Sequence, residues 1–107
     1  MRILLDKCVP RGLRRLLPGH EIKTVPEMGW SGIKNGRLLT LAQEAFDVFL
    51  TVDQNLSCQQ NLARFRVAVM VVPARSNDIN DLRPFVPAIL AALPSVTPGQ
   101  AITVQAR

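Results

Sequence analysis

The stretch Val48-Phe49-Leu50-Thr51-Val52, followed directly by Asp53, decides the fold of this chain. Uncharged β-branched and aromatic residues in an unbroken run are typical of a strand buried at the centre of a sheet. A second apolar run, Arg2-Ile3-Leu4-Leu5, is followed directly by Asp6. The sequence thus predicts two buried strands that each lead into an aspartate.

The segments around these two strands alternate between strand and helix patterns. Further strands are predicted over 21–25, 67–72 and 101–104, and helices over 10–17, 38–46, 57–63 and 77–93. Ser57 and Gln60 fit a capping box, while Pro84 and Pro87 predict a kink or a late start in the last helix. This β-α-β alternation predicts an α/β fold with a mostly parallel five-stranded sheet, for which we expect the doubly wound order 2-1-3-4-5.

Length and composition restrict the class of protein. A chain of 107 residues predicts a single domain over 1–107. We expect no signal peptide and no membrane span, and two cysteines, Cys8 and Cys58, are too few for a disulfide framework. These features predict a cytoplasmic protein with reduced thiols. Thirteen basic against eight acidic residues, a net charge of +5, favour nucleic acid or an acidic protein as a partner.

The predicted sheet order places Asp6 and Asp53 at the ends of neighbouring strands. In doubly wound sheets, ligands bind beyond the carboxyl ends of the strands, at the point where the strand order reverses. Two facing carboxylates repel each other, and Mg²⁺ or Mn²⁺ relieves that repulsion and can activate water against a phosphodiester. The alternative is that each aspartate only caps the turn or helix that follows it.

Several stretches also match a known family in order along the chain. They are 2–6 with Pro10, 17–21, 29–32, 35–36 with 38–39, 46–56, 59–62 and 74–77. On these residues the chain resembles the small bacterial PIN-like proteins, relatives of the PIN-domain ribonuclease toxins of toxin–antitoxin pairs. The resemblance implies the PIN-like three-layer α/β/α sandwich and a Mg²⁺- or Mn²⁺-dependent ribonuclease. It also implies a toxin role beside a small DNA-binding antitoxin, and it is compatible with a homodimer.

The resemblance assigns Asp6 and Asp53 as the metal-binding acids. The chain departs from the family pattern at Lys7 and Arg37, where acidic residues are usual, and at Asn35, where broader relatives often have an aspartate. Each missing carboxylate weakens the attraction for a divalent cation. We therefore expect weak metal binding.

Two residues are candidates for a third oxygen ligand and are included in the predicted catalytic set. Asn35 offers a neutral amide oxygen, and Glu44 follows on the predicted helix before the third strand. The alternatives for Glu44 are an ion pair with Arg37 or simple solvation.

Basic and amide side chains near the expected cleft are the candidates for contacts with nucleic acid. This predicted set contains Lys7, Arg11, Lys34, Arg37, Gln54 and Asn55. Cations would hold the phosphate backbone and amides could contact sugars or base edges. Trp30, flanked by Gly29 and Gly32, either stacks on a base or packs over a core edge or a dimer contact.

The leading functional hypothesis is therefore a PIN-like metal-dependent endoribonuclease weakened by basic residues. The alternative is an inactive PIN-like protein that binds RNA or an antitoxin through a basic crevice. A response-regulator receiver also places acids after its first and third strands, but the usual acidic pair at the first strand is missing here.

Overall fold

The computed structural model describes residues 1–56 and 61–106. Its sheet has five parallel strands in the order β2-β1-β3-β4-β5. The strands are β1 (Arg2–Leu5), β2 (Glu21–Thr24), β3 (Val48–Thr51), β4 (Ala68–Val71) and β5 (Ala101–Thr103). The predicted sheet order and the α/β class are confirmed.

Helices connect the strands. The α-helices in the described residues are α1 (Asn35–Ala45), α2 (Ile79–Leu82) and α3 (Val86–Ala92), and 3-10 helices cover Arg11–Leu16, Leu62–Arg64, Arg83–Phe85 and Leu93–Ser95. Over the part of the chain that is described, no helix combines the length and the apolar character needed to cross a membrane.

The side chains of β1 alternate between the two faces of the sheet, as the period of a strand requires. Ile3 and Leu5 pack in one apolar cluster, with Leu13, Leu82 and Ile89 from the helical segments of that face. Leu4 packs in a second cluster on the other face, where α1 supplies Leu38, Leu39 and Ala42. Helical segments therefore cover both faces, and the central strands β3 and β4 are fully buried between them.

Two helix predictions change in detail. The segment after Pro10 forms a 3-10 helix, Arg11–Leu16, in which Leu13 is the buried residue. The helix predicted over 77–93 begins after Asp78, whose carboxylate accepts a 2.8 Å hydrogen bond from Asn80 N–H. A 3-10 turn with Pro84 separates α2 from α3, because proline cannot supply the N–H that a continuous helix needs. The capping box Ser57–Gln60 lies outside the described residues.

Candidate metal and nucleic-acid cleft

A cleft of about 670 Å³ opens at the carboxyl ends of β1 and β3. Its walls are Asp6, Lys7 and Cys8 after β1, residues 32–36 at the start of α1, and Val52 with Asp53 after β3. We call it the carboxylate cleft. β1 lies between β2 and β3, so the cleft sits where the strand order reverses, the usual ligand position in such sheets.

Asp6 is nearly buried, with 6% of its surface exposed. Its Oδ1 accepts a 2.7 Å hydrogen bond from Lys7 N–H, and its Oδ2 accepts a 2.7 Å hydrogen bond from the Thr51 hydroxyl. These donors are neutral, and Asp6 forms no ion pair with any described residue. A buried carboxylate without a counter-charge is costly, so this position favours a bound cation.

Thr51 links the two aspartates of the cleft. Its hydroxyl donates to Asp6, and the same oxygen accepts a 3.0 Å hydrogen bond from Asp53 N–H. Asp53 Oδ1 in turn accepts a 2.9 Å hydrogen bond from Asn55 N–H, which forms an Asx turn directly after β3. One hydroxyl therefore fixes both Asp6 and the backbone that carries Asp53.

Cys8 lies against the same group. Its thiol donates to Asp6 Oδ2 at 3.5 Å and lies 3.7 Å from the Thr51 hydroxyl oxygen. Burial is the main cause that raises the pKa of the Cys8 thiol, and the nearby Asp6 charge adds to the increase. A protonated thiol is a weak donor rather than a nucleophile, so Cys8 supports Asp6. Cys58 lies outside the described residues.

The opposite wall of the carboxylate cleft is the start of α1. Lys34 is the N-terminal capping residue of this helix and gives no side-chain hydrogen bond to it, and the first turn carries no acidic residue. The first N–H groups of a helix have no partner within the helix and carry partial positive charge. This wall, with the Lys34 ammonium, suits an anion such as a phosphate.

The structure brings four predicted residues besides the aspartates to this region. Lys7, Lys34 and Asn35 line the carboxylate cleft, and Asn55 binds Asp53 through its backbone N–H. Lys7 Nζ donates to the Ser31 carbonyl at 3.4 Å, which holds its ammonium on the Ser31 side. Gln54 is exposed in the turn after Asp53.

Three other predicted residues lie elsewhere. Glu44 is near the far end of α1, where its carboxylate accepts a 2.9 Å hydrogen bond from Arg66 rather than from Arg37, and its side chain is 67% exposed. Arg37 lines a separate cleft beside α1. Arg11 lines a third cleft between the first 3-10 helix and β2. The structure therefore does not bring Glu44, Arg37 or Arg11 to the carboxylate cleft.

The donor atoms in the carboxylate cleft fit a small hard cation. Mg²⁺ is usually held by one or two carboxylates together with water and substrate phosphate, and Asp6, Asp53 and the Asn35 amide are oxygen donors of this kind. No group of three or more His, Cys, Asp or Glu side chains suited to a metal occurs within residues 1–56 and 61–106. The described residues therefore fit a weak cation site with two carboxylate ligands.

Sequence reasoning missed Thr51, and it favoured packing over base stacking for Trp30. Thr51 is fully buried, and it is the one polar residue in the run 48–52, a signal that could have marked it as a partner of a buried group. Trp30 packs edge-on against Phe46, with ring centroids 6.3 Å apart and an interplanar angle of 85°. This contact supports the core-edge interpretation of Trp30 over base stacking.

Comparisons of the chain with protein-family models, with curated proteins and with solved structures gave no match.

Proposed function

We propose that this protein is a metal-dependent endoribonuclease of the PIN-like type with a weak Mg²⁺ or Mn²⁺ site. The observation that carries the proposal is the pairing of two aspartates and a helix start in one cleft. Asp6 and Asp53 form a side suited to a cation, and residues 34–36 form a side suited to a phosphate. A phosphodiester together with a divalent cation matches both sides.

Each residue has a definite role in this proposal. Asp6 and Asp53 would hold the cation, with Asn35 as a neutral oxygen donor. A bound divalent cation would supply charge for the phosphodiester and lower the pKa of water. Lys34 and the first N–H groups of α1 would orient the phosphate. Thr51 would keep both aspartates in place, because it contacts both through one hydroxyl.

The biological setting follows from the resemblance described above. We propose a cytoplasmic toxin whose partner is a small DNA-binding antitoxin, with RNA as the substrate. The neighbouring open reading frame tests this setting. A small protein with a helix-turn-helix pattern is expected there, and a neighbour of unrelated type would count against the toxin role.

A second function is favoured by the charges of the carboxylate cleft. Lys7 and Lys34 balance Asp6 and Asp53, so the described lining residues carry no net negative charge to attract a cation. This charge balance suits an inactive PIN-like protein that binds RNA or an antitoxin. Binding of RNA without cleavage is its signature.

Cleavage of a fluorescent single-stranded RNA separates the two functions. The assay compares wild type with Asp53→Asn in Mg²⁺, in Mn²⁺ and in EDTA. Asparagine keeps the oxygen that accepts from Asn55 N–H but removes the charge, so the turn is retained. We expect the Mn²⁺-dependent rate to fall by about 100-fold or more, the range typical of losing one group that stabilises charge at an active site.

Asp81→Asn is the matched control, because Asp81 accepts a hydrogen bond from Ser76 away from the carboxylate cleft. Equal cleavage by wild type, Asp53→Asn and Asp81→Asn would indicate a contaminating nuclease and contradict the enzymatic proposal. RNA bound with strong salt dependence but left intact in both metals would establish the second function.

A further inference from the structure

A second cleft, of about 500 Å³, adjoins the carboxylate cleft at Gly36, which lines both. Its other lining residues are Arg37, Thr40 and Leu41 of α1, and Arg64 and Phe65 near the 3-10 helix before β4. We call it the arginine cleft. Gly36 carries no side chain, so it adds only backbone to the boundary between the two clefts.

The two guanidinium groups of the arginine cleft have no acidic partner among residues 1–56 and 61–106. Neither Arg37 nor Arg64 forms an ion pair with another described residue, and the described lining contains no acidic side chain. By contrast, Arg66, two residues along, is paired with Glu44. Two cations on one cleft repel each other, and a phosphate removes that repulsion through the forked hydrogen bonds that guanidinium favours.

The walls of the arginine cleft are fastened to each other. Arg66 N–H donates to Gln43 Oε1 at 3.0 Å and its guanidinium donates to Glu44 Oε1 at 2.9 Å, so the segment that carries Arg64 and Phe65 is tied to α1. The Thr40 hydroxyl donates to the Gly36 carbonyl at 3.0 Å. Its proton is therefore already used, and the arginines are the donors left for a phosphate.

Phe65 gives the arginine cleft an apolar surface between the cations. The side chain is half-buried and packs at the edge of the core beside α1, so it is held in place while part of it lines the cleft. An aromatic ring next to arginines is the usual means of binding single-stranded nucleic acid, since an unpaired base stacks on the ring while cations hold the phosphates.

From these observations we propose that the arginine cleft is a second subsite for single-stranded RNA. The strand would pass from the carboxylate cleft across Gly36 to Arg37, Arg64 and Phe65. The inference rests on the proposed function for the choice of RNA as the polyanion. It goes further in placing a nucleotide-binding subsite away from the aspartates and in assigning Arg64 and Phe65, which no motif of the sequence marked.

Binding measured in EDTA tests the subsite independently of cleavage. Two fluorescent RNAs are titrated over a series of salt concentrations, a dinucleotide that can occupy one cleft and an RNA of about ten nucleotides that can span both. For the longer RNA, we expect Arg37→Gln and Arg64→Gln each to weaken binding by about threefold to tenfold and to reduce the salt slope by about 0.7 per lost phosphate contact. Phe65→Leu should weaken binding by about fivefold or more without changing that slope.

Arg83→Gln is the matched control, because it removes the same charge from an exposed residue beside Leu82, which packs on the opposite face of the sheet. The subsite is overturned if Arg37→Gln and Arg64→Gln bind the longer RNA as Arg83→Gln does, or if wild type binds neither RNA. It is also overturned if a polyglutamate peptide binds through Arg64 while RNA does not. If the binding effects are observed but no cleavage depends on Asp53, the enzymatic proposal fails and the RNA subsite stands.

Discussion

The Thr51 hydroxyl at the end of β3 donates a 2.7 Å hydrogen bond to Asp6 Oδ2, directly after β1. Thr51 is fully buried, and its oxygen also accepts from Asp53 N–H. The residue that joins the two strands of the carboxylate cleft is thus neutral, and the charged residues depend on it for their position.

Replacing this hydroxyl by a methyl group tests that dependence. Thr51→Val keeps the shape of the side chain but leaves Asp53 N–H without its acceptor and Asp6 Oδ2 without its closest donor. We expect the free energy of unfolding to fall by about 1–3 kcal/mol, the cost of unsatisfied buried polar groups. Thr103→Val, at an exposed position of the edge strand β5, is the control and should change stability by less than about 0.5 kcal/mol in urea titrations. Similar values for both variants would show that the hydroxyl contributes nothing.

The position of Lys7 predicts a specific change in metal affinity. Lys7→Glu replaces a cation on the carboxylate cleft by a third carboxylate, so Mn²⁺ affinity should rise by about tenfold from a millimolar dissociation constant. Lys23→Glu makes the same charge change on β2, outside the described lining of that cleft, and controls for net charge. Arg37→Glu should also have little effect, since Arg37 lies in the arginine cleft. Titration calorimetry with Mn²⁺ measures the affinity of each variant. Equal affinities of Lys7→Glu and wild type would contradict a metal site at Asp6 and Asp53.

Alanine substitutions at three glycines distinguish the cost of backbone strain from the cost of steric crowding. Gly19 and Gly99 have φ of +84° and +81°, but a Cβ at Gly99 would lie 3.2 Å from the Phe65 carbonyl oxygen, while nothing lies within 4 Å at Gly19. Gly19→Ala should cost about 1 kcal/mol of stability. Gly99→Ala should cost about 2 kcal/mol or more, because backbone must move as well. Gly32→Ala, at an open position without positive φ, is the reference in the same denaturant titrations. A Gly99→Ala cost no larger than that of Gly19→Ala would argue against this close approach.

Glu27 predicts a stability difference that depends on pH. A hydrogen bond from Thr24 N–H is the main cause that lowers the pKa of Glu27, and the Arg14 guanidinium also lowers it. A lowered folded-state pKa stabilises the fold above the unfolded glutamate pKa, and this contribution is lost as pH falls through the folded value.

Glu27→Gln should therefore be less stable than wild type at neutral pH, and the difference should shrink as the pH falls through the lowered folded-state pKa of Glu27. Denaturant titrations across this range provide the measurement, with Glu21→Gln as the reference for the same chemical change at an exposed position. A difference that stays constant with pH would contradict a contribution from the ionised carboxylate.

The order of the sheet could be predicted because its central strands are unbroken apolar runs, and the aspartates after β1 and β3 follow from that order. The position of Glu44 could not be predicted, because the periodicity of a helix does not say which of its ends faces a cleft. α1 starts at Asn35 beside the carboxylate cleft, and nine residues of rise carry Glu44 about 14 Å along the helix axis.

The arginine cleft was also beyond sequence reasoning. Arg37 and Arg64 belong to segments that meet through the contacts of Arg66 with Gln43 and Glu44 and through the packing of Phe65 beside α1. No local pattern encodes that meeting. The 3-10 helix at Arg11–Leu16 shows a similar limit, since the spacing of Leu13 and Leu16 fits either helix type and tertiary packing decides between them.

The hydrogen bond between Asp6 and Thr51 joins residues 45 positions apart. The intervening chain forms β2 and α1, so the contact exists only after a long loop has closed and β1 has paired with β3. Contacts of such long sequence separation form late and are lost together when the sheet opens. A ligand held by Asp6 and Asp53 would consequently slow hydrogen exchange in the amides of the whole central sheet, rather than in the loops that surround it.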